Sequence, residues 1–448
     1  MRDIELKFYF LFSFLCAVCI GHSRDYYFNS NTRADKNDGS LKAPWKTLEP
    51  LNQLDLEAGD RVFFARGSLF TGGFVVKGSG SAQWPVLFTA YGSGAAPVLT
   101  NPDYNLFNGN VIQVHGNYIT IKGLHFANTA SCTYNEPVKA EDYWKNEELR
   151  IRIDKKVLLV GAVYQVEGAS YLTVSDCEFE DCPIAVYING QHNIITRNNF
   201  HDCSRTLWDP LWGPIALVVA NAYNEVSYNK CSNYKREGGT FGADGGFIEL
   251  DSRYYGDSIH HVSIHHNYST ANEGFLEITN SGSQLDISYN VSDDHQQFIF
   301  FWDGDSSRIE NNTVIRTRPA NSSVNVVFTF KNSGYIVRNN IFVLPDSMQV
   351  FAGGAYDARN FNQLHENNLY YVIGSTIDPV GRPLGKGEVV ADPLFVDWKS
   401  HDFRLQPGSP AIDAGQHLSH KLDFANNRVP FGRRPDIGAF EYNYPKER

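Results

Sequence analysis

Residues 262–292, VSIHHNYSTANEGFLEITNSGSQLDISYNVS, hold the repeat that decides the fold. An Asn followed by a short strand-like run occurs twice, at Asn267 and Asn290, and between them Phe275-Leu276-Glu277-Ile278-Thr279 alternates apolar with polar. A period of two belongs to a strand, not to a helix. The same phrase recurs as RNNF at Asn199, SYNKC at Asn229, ENNTV at Asn312, RNNIF at Asn340 and ENNLY at Asn368, at intervals (by subtraction) of 30, 38, 23, 22, 28 and 28 residues. Alternating runs accompany it: PIAVYING, PIALVVAN, GGFIELD, QFIFFWD and VVFTFKN. A unit of about 22 residues with irregular insertions describes a coil of short strands and turns, each coil burying its apolar side against its neighbours. An Asn at each bend bonds its own turn and the next coil, so stacked Asn form a ladder. Asn267 and Asn290 also head N-x-Ser patterns; the ladder is the preferred reading over glycosylation.

With 448 residues the chain exceeds one ordinary core, and only a repeat architecture keeps it a single domain. Aromatic residues at 14% with only two Met, and recurrent Gly, Asn, Ser and Asp, suit many short strands and tight turns. A net charge of -11 argues against nucleic acid as partner but leaves room for a locally basic groove facing an acidic glycan. Phe8 to Ile20 is an apolar run preceded by Arg2 and Lys7 and followed by small residues, so residues 1–23 read as a signal peptide. The expected location is secreted, periplasmic or cell-surface, with a lipid anchor at Cys19 as an alternative. The run is short for a membrane span and no later segment could form one. Cys132, Cys177, Cys182, Cys203 and Cys231 lie outside the signal without a CxxC spacing, and read as buried, stacked thiols with at most one disulfide.

Both ends carry further phrases. Near the start stand Asn37-Asp38-Gly39-Ser40, Pro44-Trp45-Lys46-Thr47-Leu48 and Gly59-Asp60-Arg61-Val62; near the end stand Asp392-Pro393-Leu394-Phe395, Gly408-Ser409-Pro410-Ala411-Ile412-Asp413-Ala414-Gly415 and Asp436-Ile437-Gly438-Ala439-Phe440-Glu441. With the repeats between them, the chain resembles the pectate-lyase-like family of secreted, carbohydrate-active right-handed parallel β-helix proteins. The resemblance implies an all-β solenoid forming one domain over 24–448: a cap and first coils at 24–108, central coils at 109–372 and a C-terminal segment at 373–448. It implies a polysaccharide or oligosaccharide substrate and a monomer. It does not choose among hydrolase, lyase and non-catalytic binder.

Three interruptions, 133–158, 204–212 and 235–244, read as long loops walling a groove. If Leu276 and Ile278 point inward, Phe275, Glu277 and Thr279 point out; by the same rule Phe247, Glu249 and Asp251 point out. One outward column then reads Tyr187, Val218, Glu249, Glu277, Phe300, Thr329, and the next Asn189, Ala220, Asp251, Thr279, Trp302, Lys331. Stacked carboxylates repel, and a purely structural face rarely keeps them. Glu249, Glu277 and Asp251 are therefore the candidate catalytic group for glycoside hydrolysis, which needs an acid and a base or nucleophile. Trp302, Tyr187, Asn189, Lys331 and Trp208 are candidate substrate contacts, Lys331 favouring a carboxylate or sulfate on the sugar. Asp244, Glu273, Asp303 and Asp305 are second-choice acids. The ordinary structural reading is that the carboxylates solvate the outer face. His260-His261 and His265-His266 read as strand and turn residues, not metal ligands. No cofactor is expected for a hydrolase. The alternative is a lyase acting on a uronic-acid glycan, with Ca²⁺ on Glu249, Asp251 and Glu277 and Lys331 or Arg253 as base. A glycan-binding β-helix without catalysis comes third.

Overall fold

The computed structural model describes residues 23–443 except 33–35, 103–108, 131–138, 158–160, 206–212, 238–242, 253–258, 318–325, 352–359, 362–363 and 376–377. The predicted signal, Cys132, Trp208 and Arg253 lie outside the described residues. The chain winds as a right-handed parallel β-helix. Each coil contributes one strand to each of three sheets, as in Ile194–Thr196, Asn199–Cys203 and Ile215–Val219. Among the described residues the first sheet has twelve strands from Asp25–Phe28 to Leu364–Glu366, and the second twelve from Leu69–Thr71 to Val389–Val390. The third has eleven, among them Phe74–Val76 and Asn360–Phe361. None of the described helices is long and apolar enough to cross a membrane.

The coil repeats because its corners are built alike. Between the first and second sheets a residue in the left-handed region turns the chain, as at Arg197 (φ 55°), Tyr228 (φ 56°), His266 (φ 56°) and Tyr289 (φ 51°). The Asn that follows faces inward. Asn290 Nδ2 donates to Asn312 Oδ1 (3.0 Å) and to Ile264 O (2.9 Å), and Asn290 N also donates to Asn312 Oδ1 (2.9 Å). This ladder joins Asn198, Asn229, Asn267, Asn290, Asn312, Asn340 and Asn368 through Nδ2 to Oδ1 bonds of 2.9–3.1 Å. Its first member is Asn198; Asn199 starts a second-sheet strand and is exposed. Asn267 and Asn290 are fully buried, which closes the folded chain to glycosylation there.

Inside, like residues stack on like. Phe126, Phe179 and Phe200 lie with ring centroids 4.9 Å apart, and the series continues through Phe247, Phe275 and Phe298. Phe247 and Phe275 thus belong to the core, although strict alternation points them out. At the corresponding entry to the third sheet one coil beyond Phe275, the amides of Phe298 and Ile299 both donate to Val326 O (2.8 and 3.1 Å). A bulge of this kind turns two consecutive side chains inward. At the N-terminal end, Leu48, Leu51 and Leu56 join the core around the turn Glu49–Gln53. The C-terminal segment forms the hairpin of Phe395–Asp397 with Asp402–Leu405 and packs Phe395, Phe403, Leu405, Ala411 and Ile437 against Val291, Ile341, Val343 and Leu369. It therefore lies along the solenoid.

The insertions share one origin. Residues 128–162, 204–214 and 235–245 all leave the second sheet and return to the third, so they rise from the same edge, with one coil of short turn (181–183) between the first and the second. The first carries two helices, Ala140–Lys145 and Glu147–Val157, where the sequence reads as a charged loop.

Candidate active site

The third sheet presents one outward column whose register is set by backbone pairing: Gln113, Tyr164, Tyr187, Val218, Glu249, Glu277 and Phe300, with Phe328 the next backbone partner. Glu249 and Glu277 are direct partners on adjacent strands, Gly246–Leu250 and Gly274–Ser283. The flanking inward residues Ile248, Leu250, Leu276 and Ile278 are buried and hold both carboxyls on the outer face. Glu249 is 9% exposed and Glu277 half-buried, so the pair is partly withdrawn from solvent. Asp251, two residues beyond Glu249, is 2% exposed.

The rest of the predicted columns differs. Phe300 faces Phe328, not Thr329, because the bulge at the strand entry delays the alternation by one residue. In the second column Lys331 pairs with Asp303 and not with Trp302. Between Ile278 and Ser281 the register shifts: Ile278 faces Phe301 and Ser281 faces Asp303, leaving one extra residue on the Gly274–Ser283 strand. The side chains of Trp302 and Lys331 lie outside the described set.

Tyr187 and Asn189 stand in the predicted coil but are each 1% exposed. The Tyr187 ring lies 5.4 Å from that of Tyr164, and Gly161, at the return of the first insertion, packs close to its Cβ. Asn189 Nδ2 donates to Gln165 O (2.9 Å) and Tyr164 Oη (3.3 Å), so its amide joins two coils. Both are occupied in packing in this conformation and line no open sugar platform.

Among the described residues no three of His, Cys, Asp and Glu converge to hold a metal ion. The histidine pairs belong to stacks of rings at the corners: Tyr118, Tyr171, His192, Tyr223 and His261 in one, Tyr228, His266 and Tyr289 in another.

Two features near the groove were not singled out from sequence. Trp144, on the inserted helix Ala140–Lys145, is 48% exposed. Lys235 Nζ lies 3.2 Å from His295 Nε2, bridging two turns at the edge from which the insertions rise. The exposed Trp within a charged loop was a usable signal for the first. The second joins residues 60 positions apart and had none.

The sequence model of the chondroitinase B family matches residues 47–355, which include the Glu249 and Glu277 strands. No curated protein matches the sequence. Among solved structures the chain is similar to the XylC–xylose complex, with 11% identity, a TM-score of 0.54, and coverage of 93% of this chain and 99% of that one. It is also similar to pectate lyase Pel9A (14% identity, TM-score 0.48, 94% and 97% coverage). A third is the GH136 lacto-N-biosidase from Eubacterium ramulus (14% identity, TM-score 0.48, 78% and 68% coverage).

Proposed function

The chain belongs to the chondroitinase B family of parallel β-helix enzymes that degrade polysaccharides, and we propose that it does so by hydrolysis, with Glu249 and Glu277 as the carboxyl pair. The observation that supports this is their direct pairing in a column that contains no basic residue from Gln113 to Phe328. Hydrolysis asks one carboxyl to give its proton to the leaving oxygen and the other to attack the sugar carbon or activate a water. Adjacent strands are spaced about 4.8 Å apart, close to the roughly 5–5.5 Å separation of a retaining pair. Asp251, diagonal to Glu277, is the third acid and would serve the wider inverting geometry. Trp302, Lys331 and Trp208 remain proposed sugar contacts, joined by Trp144 from the inserted helix. Export through residues 1–23 would bring the enzyme to a polymer outside the cytoplasm.

The second reading is β-elimination on a uronate-containing glycan, favoured by the family itself. Its candidate base Lys331 stands on the strand two coils from that of Glu277, about 10 Å by rung spacing, and for that reason elimination ranks second. The test incubates the protein with neutral and acidic glycans, with and without a chelator. New reducing ends without the ultraviolet absorbance of an unsaturated uronate support hydrolysis. Appearance of that absorbance, abolished by the chelator, would replace it with calcium-dependent elimination.

A further inference from the structure

We infer that the enzyme takes a glycan by its end: the Glu249–Glu277 rung stands where the outward face of the third sheet passes from covered to open, so it receives a chain terminus and releases short units from it. The inference rests on the catalytic reading of those two carboxyls. Backbone register orders the face coil by coil as Tyr164, Tyr187, Val218, Glu249, Glu277 and Phe300. Along it Tyr164 is buried, Tyr187 and Val218 are each 1% exposed, Glu249 is 9% exposed, and Glu277 and Phe300 are half-buried. The neighbouring outward positions change at the same rung. Asn189 and Ala220 are 1% exposed and Asp251 2%, whereas Thr279 is half-buried.

Alternate side chains of a strand leave the coil, so they are buried only where something lies over them. In the same three coils the outward residues of the first sheet, Thr173, Ile194 and Glu225, keep solvent access, Ile194 at 38%. The covering therefore belongs to the third sheet alone. Two insertions return to the sheet over this stretch. Gly161, at the end of the first, would set a Cβ 3.5 Å from Tyr187 Cβ, and Gly213 and Pro214, at the end of the second, are buried. A glycan laid along the column meets accessible face at Phe300, Thr279 and Glu277 and closed packing at Val218, the direct partner of Glu249 and one rung, about 4.8 Å, beyond it. Val218 and Ala220 offer no side-chain hydrogen bond, so sugar hydroxyls pressed on them would lose water without replacement. The chain stops there. Each cut adds one water across the glycosidic bond at the carboxyl rung, the proton of the acid going to the leaving oxygen and the hydroxide to the sugar carbon. The unit between that bond and the closed end is the short product.

The test incubates the full chain with chondroitin sulfate, polygalacturonate, alginate and xylan, and follows product size by gel filtration beside viscosity and reducing ends. On any polymer that is cut, early products are expected as one short species beside nearly full-length polymer, with reducing ends rising while viscosity barely falls. A ladder of intermediate lengths with an early collapse of viscosity would overturn the end-directed mode and leave the carboxyl reading standing. An oligomer of the cleaved glycan, labelled at its reducing end, then tells which terminus enters: stepwise shortening of the labelled chain marks the non-reducing end, and release of a short labelled unit marks the reducing end. The closed face has its own test, independent of substrate. Val218→Cys should take up no more of an aqueous thiol reagent than the parent protein, and Thr279→Cys should be modified in the folded state; equal modification of the two would overturn the barrier. Failure of the carboxyl reading shows separately, as retained cleavage in Glu277→Gln or as no cleavage of any of the four polymers.

Discussion

Replacing Glu249 or Glu277 by Gln keeps the shape of the rung and removes an ionisable proton. Each change is expected to lower turnover by about 10²–10⁴-fold, the usual worth of a positioned acid or base, while the thermal midpoint barely moves. Unchanged turnover in both variants would remove the pair from the chemistry. Asn189 belongs to a different class of residue. Its amide joins two coils, so Asn189→Ala should cost stability, about 1–3 kcal/mol for stranding buried partners, measured by denaturant unfolding. The Glu rung was legible because it needs only the two-residue period and coils of matched pairing. Tyr187 and Asn189 were placed in the right coil, but their burial depends on what packs over them, which alternation does not report.

At the scale of elements, the C-terminal segment is where pH acts on the fold. Burial pushes Asp436 up to about 6 and Glu441 up to about 7, and the nearby Asp413 and Asp423 add repulsion. An acid whose pKa rises on folding holds its proton more tightly in the native state. Stability therefore falls as pH climbs from the ordinary carboxylate range through these values. Burial and the neighbouring His265 lower His266 to about 4, and its Nε2 faces Asp423 O in the same segment at 3.0 Å. That imidazole works in the opposite sense, losing stability as pH falls from the ordinary histidine value towards 4. Two acids outweigh one histidine. The melting temperature is expected to be higher near about pH 5 than near about pH 7.5, and Glu441→Gln to abolish most of the difference; a midpoint that rises with pH would contradict this. The Asn ladder is the other element with a direct test. Asn312 links Asn290, Asn340 and Ile287 O, so Asn312→Ala should destabilise by several times the ~1 kcal/mol of one net hydrogen bond. The ladder was visible in sequence as a spaced Asn, and its one misplacement, Asn199 for Asn198, arose because two adjacent Asn offer the same phrase.

For the whole molecule, cohesion comes from stacked coils. Cys177, Cys182, Cys203 and Cys231 are free and buried, and burial pushes the Cys177 and Cys182 thiols up to about 12. These four thiols are expected to resist an aqueous thiol reagent until the protein unfolds, and a reductant should leave the melting temperature unchanged; a midpoint lowered by reductant would show a disulfide. The sequence by itself determined the coil, the ladder and the carboxylate rung, because these depend on periods of two residues and one turn, written locally and repeated. Only the tertiary structure decided the bulges that displaced Thr329 and Lys331, the inward turn of Phe247 and Phe275, and the meeting of Lys235 with His295. Those depend on how many residues each corner and insertion absorbs before the chain rejoins its sheet. That number is set by packing between coils, and no periodicity records it.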